Sequence, residues 1–301
     1  MGLFTNCYKS CTVLPMRDTA HIVCQDSTEP WQRPNEWPLP QAVFTSPRYN
    51  KGMAYGTDAE GQVIEDDTDP ALYYYHLLDA WRRVHDETAA GASLWVNHKP
   101  DDPHRDSVLH TSLIASGWVI QKTFAWVFHM AFLDGSSVGQ FNSVPRAVNP
   151  HSGFELVRLY AKDGAGPVKL RRDAPGVGVP YSDKTNLTRF TAGTGGQPKE
   201  DLRCRGDVWL IPYETRRKRT HPCPFPPGLP EMALRMLDLP PGSVVADPFC
   251  GTGATGVAAQ ACGLRFLGMD LSPAFCEEAR SRLYVDRFSR ALGALKASWE
   301  V

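Results

Sequence analysis

Short apolar runs punctuate the chain, and most are too brief to be helices. His21–Cys24, Ala42–Thr45, Ser93–Asn97, Val119–Phe128, Phe154–Tyr160, Val244–Ala246 and Phe266–Met269 each predict a buried strand. Between some of them the period lengthens. Tyr73, Leu77, Trp81 and Val84 recur at helical spacing within Pro70–Val84, and Asp69-Pro70 supplies an N-cap followed by a proline suited to a first turn. Gly256–Cys262 and Pro273–Tyr284 predict two more helices, the second capped by Ser272. Strands alternating with helices predict an α/β domain, a mostly parallel central sheet with helices on both faces.

Two stretches break this rhythm. Gln32–Gln41 is proline-rich and reads as a surface loop. Gly164–Leu202 is rich in Gly, Pro, Lys and Arg with little apolar periodicity, and a long irregular segment in a compact domain is usually functional or disordered. Only two helices and one strand fit between Gly256 and Val301. The strands that complete the sheet on that side must come from upstream, so the chain order of the sheet is permuted.

The 301 residues suffice for one large α/β domain with an insertion. No apolar run reaches the roughly 18 residues of a membrane span, and MGLFTNCYKSC lacks the apolar centre of a signal peptide. Scattered cysteines suit a reducing, cytoplasmic setting. Cys7, Cys11, His21 and Cys24 can be written as C-x3-C-x9-H-x2-C, but no paired C-x2-C occurs, so they read as separate thiols and no metal is expected. The net charge of −1 conceals an asymmetry: Asp58–Asp69 is acidic, while Arg203, Arg205, Arg216, Arg217, Lys218 and Arg219 form a cationic cluster. Such a cluster can neutralise phosphates, although a solvated loop carries the same residues.

The candidate chemistry lies in two stretches far apart. In VVADPFCGTGATG, Gly251, Gly253 and Gly256 spell the dinucleotide fingerprint, with Asp270 ending the next strand. Asp247-Pro248-Phe249 stands between strand and glycines, where its carboxylate would repel a pyrophosphate and suit a cationic amine. Asp270 can accept two ribose hydroxyls. The second stretch, TSPRYN, ends another strand, at the edge where ligands bind parallel sheets. The Ser46 hydroxyl and the Ser46 and Pro47 carbonyls offer acceptors, and Tyr49 offers an aromatic plane. Together they suit a planar base bearing an exocyclic amine.

Over roughly His21–Leu283 the sequence resembles the site-specific DNA amino-methyltransferases of the permuted β arrangement, in which the catalytic motif precedes the cofactor loop. TSPRYN resembles the family's S-P-P-Y, GASLWVN its following strand, and GFELVRLYAK its H-E-x-I strand with Phe154 in place of histidine. HIVCQDS resembles the segment whose acid, here Asp26, lies near the cofactor adenine. The run from DVWLIPY to HPCPFPPG resembles W-x-I-P and H-P-A-P-F-P, and DPFCGTGAT resembles D-P-F-x-G-S-G-T. One departure concerns Arg48, which stands where the family has proline, replacing a rigid ring with a long cation.

The resemblance implies a SAM-dependent methyltransferase fold, Rossmann-like and circularly permuted. Residues 1–163 and 206–301 would be the catalytic and cofactor-binding halves of one domain, with 164–205 an inserted target-recognition region. It implies methyl transfer from S-adenosyl-L-methionine to the amine of a base flipped out of double-stranded DNA, in an enzyme of the kind paired with a cognate restriction endonuclease. Ser46, Pro47 and Tyr49 would be catalytic. Asp26, Phe225, Asp247, Phe249, Gly251, Thr252, Gly253, Asp270 and Leu271 would bind the cofactor. Arg48, Arg216, Arg217, Lys218 and Arg219 are the candidate DNA contacts. Serine before Pro47 favours N4-cytosine over N6-adenine.

Rival readings are a DNA-binding homologue whose catalysis is impaired by Arg48, a small-molecule methyltransferase, and a nicotinamide-dependent oxidoreductase. Asn50–Asp58, with Gly52 and Gly56, reads either as a loop able to close over the site or as an ordinary surface loop. Trp126 and Trp209 read as core or pocket-wall aromatics. His98 and His221 read as makers of local hydrogen bonds rather than bases.

Overall fold

The computed structural model describes residues 19–66, 69–100, 102–131, 137–138, 152–171, 174, 177–180, 202–203, 206–213 and 221–284. Cys7, Cys11, Arg205, the cationic run at Arg216–Arg219 and most of the proposed recognition insertion lie outside these residues.

In chain order the strands are β1 (Ala20–Cys24), β2 (Ala42–Thr45), β3 (Ala54–Thr57), β4 (Val63–Glu65), β5 (Ser93–His98), β6 (Trp118–Val127), β7 (Met130–Ala131), β8 (Ser137–Val138), β9 (Phe154–Lys162), β10 (Val179–Pro180), β11 (Leu202–Arg203), β12 (Val208–Leu210), β13 (Val244–Asp247) and β14 (Arg265–Asp270). Eight form one sheet in the order β1-β14-β13-β2-β5-β9-β6-β12. Its neighbours pair in parallel except at β9, which runs antiparallel to both β5 and β6. The last two strands, β14 and β13, stand between β1 and β2, so sequence-distant segments lie side by side in the sheet.

Helices cover both faces, as the alternation within each central strand requires. Val43, Leu94, Val96, Val244 and Ala246 face α1 (Pro70–Asp86) and α2 (Pro103–Ala115), packing against Leu77, Trp81 and Leu113. Phe44 and Trp95 face the other way, toward Leu229 and Met232 of α3 (Gly228–Leu237). Val245 and Phe266 share that face with α4 (Ala254–Ala261) and α5, which is helical over 273–284. Trp126 and Trp209 are fully buried core residues of the α3 side.

Start signals decide where the first two helices begin. Asp69 accepts from the Ala71 and Leu72 amides, and Asp102 accepts from those of His104 and Arg105, each ahead of a proline. Arg158 of β9 then ties α2 to the sheet, its two terminal nitrogens reaching the Asp106 carboxylate at 2.5 and 2.7 Å.

Three expectations change. Ser272 does not cap α5 through its side chain, whose hydroxyl is buried without a partner; the preceding turn is held by the Asp270 carboxylate accepting the Ser272 amide at 2.9 Å. Gln32–Gln41 is irregular, but Trp37 within it is buried in the α1–α2 core. Asn50–Asp58 is not only a loop, because β3 pairs with β4. Tyr55 and Ile64 of that hairpin pack on Phe275 of α5, which supplies the apolar contact a bare loop would lack.

Candidate active site

Because β1, β14, β13 and β2 are parallel, their C-terminal ends open at one edge of the sheet. There the segments after each strand enclose a cleft of about 840 Å3, counted out to its open mouth. Gln25 and Ser27 follow β1, Ser46 to Tyr49 follow β2, Pro248 to Thr252 follow β13, and Asp270 and Leu271 close β14. His221, Cys223, Pro224 and Phe225 line another wall, with Tyr55 and Ile64 of the hairpin and Phe275 of α5. Ser46 and Gly251, the anchors of the two motifs, therefore share one cavity.

The glycine loop needs its glycines for space and for backbone sign. Gly251 has φ 48°, and a Cβ there would stand 3.1 Å from the His221 ring. Gly253 has φ 79°, and its Cβ would stand 3.0 Å from the Ala279 Cβ of α5. A side chain at either position is both strained and crowded. The Gly251 amide donates to Asp270 Oδ2 at 2.9 Å. With Ser272 on Oδ1, this leaves about two of the four carboxylate acceptor sites of Asp270 for a ligand. Burial raises the Asp270 pKa.

Asp247 does not face the cleft, contrary to its expected contact with a ligand amine. Its carboxylate is fully buried and accepts from Thr45 Oγ1 at 2.6 Å, Thr255 Oγ1 at 2.7 Å and the Phe249 amide at 3.1 Å. It staples β2, β13 and the first turn of α4 together. Burial pushes its carboxyl up to about 6, against the pull of those three donors. Asp26 also turns to its own chain, accepting from the Thr28 amide and hydroxyl at 2.8 Å each, while its neighbours Gln25 and Ser27 line the cleft. Gly253 acts through the turn rather than the cleft lining, whereas Phe225, Phe249, Gly251, Thr252, Asp270 and Leu271 all line it.

The loop after β2 is held from both sides. Ser46 Oγ lies 2.9 Å from the Tyr49 hydroxyl, and that hydroxyl lies 3.4 Å from Glu155 Oε2 on β9. Asn97, on β5, donates to the same Glu155 oxygen at 2.7 Å and to the Tyr49 oxygen at 3.3 Å. The Tyr49 ring packs edge-on against His98, with centroids 4.7 Å apart. Burial, followed by the nearby Glu155 charge, raises the Tyr49 phenol well above its ordinary pKa, and burial raises the Glu155 carboxyl too.

Arg48 leans toward the hairpin. Its Nη1 donates to the Glu65 carbonyl at 3.0 Å, and its own carbonyl accepts from the Tyr73 hydroxyl at 2.6 Å. His221 sits between Tyr55 and Phe275, with ring centroids 5.7 and 4.8 Å away, and accepts from the Cys223 amide at 3.3 Å. Burial holds the His221 pKa down at about 4, so the imidazole is neutral near pH 7. His98 is buried beside Asp106, its Nδ1 3.4 Å from the carboxylate.

Asn97 and Glu155 were not singled out from the sequence, although both belong to the hydrogen-bonded group behind Ser46. The available signal was a carboxylate and an amide within apolar strand patterns, which need buried partners. Among the described residues no cluster of three or more His, Cys, Asp or Glu is arranged to hold a metal, and no helix is long and apolar enough to cross a membrane.

A sheet edge where a serine-proline loop meets a glycine loop and a strand-terminal acid defines a class of transferase sites, and comparison with known proteins gives the family. The DNA methylase family N6_N4_Mtase matches residues 41–281. The chain belongs to that family. The type II methyltransferase M.ScaI of Streptomyces caespitosus is 24% identical over 262 residues, covering 81% of this chain and 76% of that protein. Among solved structures, the cytosine-N4-specific PvuII DNA methyltransferase superposes with a TM-score of 0.56 at 17% identity, covering 87% of this chain and 85% of that one. The M1.HpyAVI–SAM complex superposes with a TM-score of 0.52 at 16% identity, covering 88% and 100%. The fold is that of the DNA methyltransferases.

Proposed function

We propose that this DNA methylase transfers the methyl group of S-adenosyl-L-methionine to the exocyclic amine of a base flipped from double-stranded DNA, with N4 of cytosine as the acceptor. The observation that carries the reading is the shared cleft: acceptor atoms at Ser46 and Pro47 stand across one cavity from the glycine loop and Asp270. The residues of the cleft fit the donor: Asp270 keeps acceptor capacity for two ribose hydroxyls, Phe225 and Phe249 offer apolar walls, and the loop at Gly251 lets backbone approach a ligand closely.

When bound, S-adenosyl-L-methionine supplies a methyl group already activated on a sulfonium. The chain supplies positioning. An aromatic amine is a poor nucleophile because its lone pair is delocalised into the ring. N–H bonds accepted by Ser46 Oγ and the Pro47 carbonyl localise that pair on nitrogen, and fixing the amine in line with the methyl supplies the rest. The N–CH3 bond would form as the S–CH3 bond breaks, the donor leaving as a neutral thioether, and the surplus amine proton would pass to solvent at the open mouth of the cleft. Tyr49 lends a ring wall against which the flipped base rests. Arg216, Arg217, Lys218 and Arg219, together with the segment 164–205, contact and read the duplex in this proposal.

Serine before Pro47 supports cytosine; N6 of adenine is the alternative within the same chemistry. Incubation with DNA and methyl-labelled S-adenosyl-L-methionine, followed by digestion to nucleosides, decides among the readings. Label in N4-methylcytosine is expected. Label in N6-methyladenine would replace the base assignment, and DNA binding without label, restored by Arg48→Pro, would favour an impaired homologue. Stabilisation in a thermal shift by NAD and not by S-adenosyl-L-methionine would overturn the donor.

A further inference from the structure

The serine proposed to receive the target amine has a proton of its own. Pointed into the cleft, that proton would bind the amine lone pair and tie up the electrons that must attack. Turned away, it leaves oxygen lone pairs for the amine N–H. The same hydroxyl therefore opposes or assists the reaction according to which way it is oriented.

A buried chain of hydrogen bonds decides the direction. Glu155 stands at its end, 8% exposed, on the one strand of the sheet that runs antiparallel to its neighbours. A carboxylate accepts and does not donate. Its Oε2 receives the Asn97 amide at 2.7 Å and faces the Tyr49 hydroxyl at 3.4 Å, long for an O–H···O bond but aimed at a full negative charge in a dry site. The phenolic proton thus belongs on the Glu155 side. Asn97 Nδ2, a donor only, approaches the Tyr49 oxygen at 3.3 Å, and the remaining lone pair faces Ser46 Oγ at 2.9 Å. The serine proton completes that contact, and the serine lone pairs are left for the cleft.

We infer that Glu155, through Tyr49, is a positioning residue that makes the Ser46 hydroxyl a pure acceptor toward the target amine. Asn97 shares the task by donating to both the Glu155 carboxylate and the Tyr49 oxygen, which fixes the two groups relative to each other. Burial and Glu155 raise the Tyr49 phenol, so it keeps the proton that the chain passes along, while burial raises the Glu155 carboxyl against the pull of Asn97, Lys99, Tyr49 and Lys51. This inference rests on the amine-methylation reading and adds to it a residue outside the two motifs.

The test is a double-mutant cycle in single-turnover methyl transfer to DNA, using Glu155→Leu, Glu155→Gln, Ser46→Ala and Ser46→Ala/Glu155→Leu, with donor affinity by calorimetry and thermal melting alongside. Glu155→Leu is expected to slow transfer by about 10- to 100-fold while donor affinity stays within about twofold. Glu155→Gln is expected to stay within about threefold of the unaltered protein, because its carbonyl still accepts from Tyr49 and Asn97. In the Ser46→Ala background, Glu155→Leu is expected to add less than about twofold. If Glu155→Leu melts below the assay temperature, Tyr49→Phe cuts the same chain and is expected to show the same dependence on Ser46. Full transfer rate in Glu155→Leu, equal slowing with and without Ser46, or Glu155→Gln as slow as the leucine variant would overturn the inference while leaving the reading intact. No transfer by the unaltered protein despite donor binding would overturn the reading and the inference together.

Discussion

A carboxylate in a conspicuous motif need not touch the ligand, and Asp247 is the case in point. Its three donors come from β2, from the turn it begins and from α4, so it holds the two halves of the site in register. Its raised carboxyl pKa has a defined sign. The folded protein binds the proton more tightly than the unfolded chain, so this stabilisation is complete below the ordinary value near 4 and is lost as pH rises through about 6. The difference corresponds to about 3 kcal/mol. Asp247→Asn abolishes the titration, so denaturant unfolding from pH 4 to 7 should show the variant gaining on the unaltered protein by up to that amount as pH rises. An unchanging gap would disprove the assignment. At Ser46, loss of the hydroxyl should lower the transfer rate by about 10²-fold with little change in donor affinity, the pattern of an interaction that matters at the transition state.

Elements made of contiguous apolar residues were legible in the sequence, and so were the motifs attached to them. β2, β5, β13 and β14 are runs buried on both faces, which leaves no polar alternation to misread. α2 and α3 went unread, although Asp102-Pro103 repeats the start signal of α1. The apolar stripe of α2 is thin, with Leu109 and Leu113 as its buried large residues, and Arg158 substitutes for the missing grip by clamping Asp106. Arg158→Met should therefore cost about 2–3 kcal/mol in denaturant unfolding, since it strands a partly buried carboxylate whose pKa is held far below its usual range by His98 and Arg158, against burial. The β3–β4 hairpin was missed for another reason: its anchor, Phe275, is two hundred positions downstream and invisible to local pattern. Arg48→Ala removes the side-chain hydrogen bond to Glu65 and should speed amide exchange over 54–65 by about tenfold, measured by hydrogen–deuterium exchange.

For the whole molecule, the sequence conveyed the kind of sheet and the cleft at its edge, because the two motifs end strands and only upstream strands could finish the sheet. What it did not convey is which polar groups point inward. Thr45 and Asp247 are 202 positions apart, and Asn97 and Glu155 are 58 apart, so their pairing is a product of topology rather than spacing. Net charge tells little about affinity for DNA, and the proposal assigns the phosphate contacts to the local cluster at Arg216, Arg217, Lys218 and Arg219. Replacing these four by alanine should weaken binding to all DNA sequences alike and flatten the dependence of log affinity on log salt by about one for each cation that meets a phosphate. An unchanged slope would move the phosphate contacts elsewhere.

The order of strands also bears on how the chain is born. β1 and β2 are not paired with each other; β13 and β14, which bridge them, emerge from the ribosome about two hundred residues after β2. Until then β1 has no strand to pair with in the sheet, and β2 is a bare edge of the partial sheet β2-β5-β9-β6-β12. Holding those two strands apart from other chains during translation is therefore a cost imposed by the topology itself, and a ribosome stalled before Val244 would present a sticky, half-assembled product.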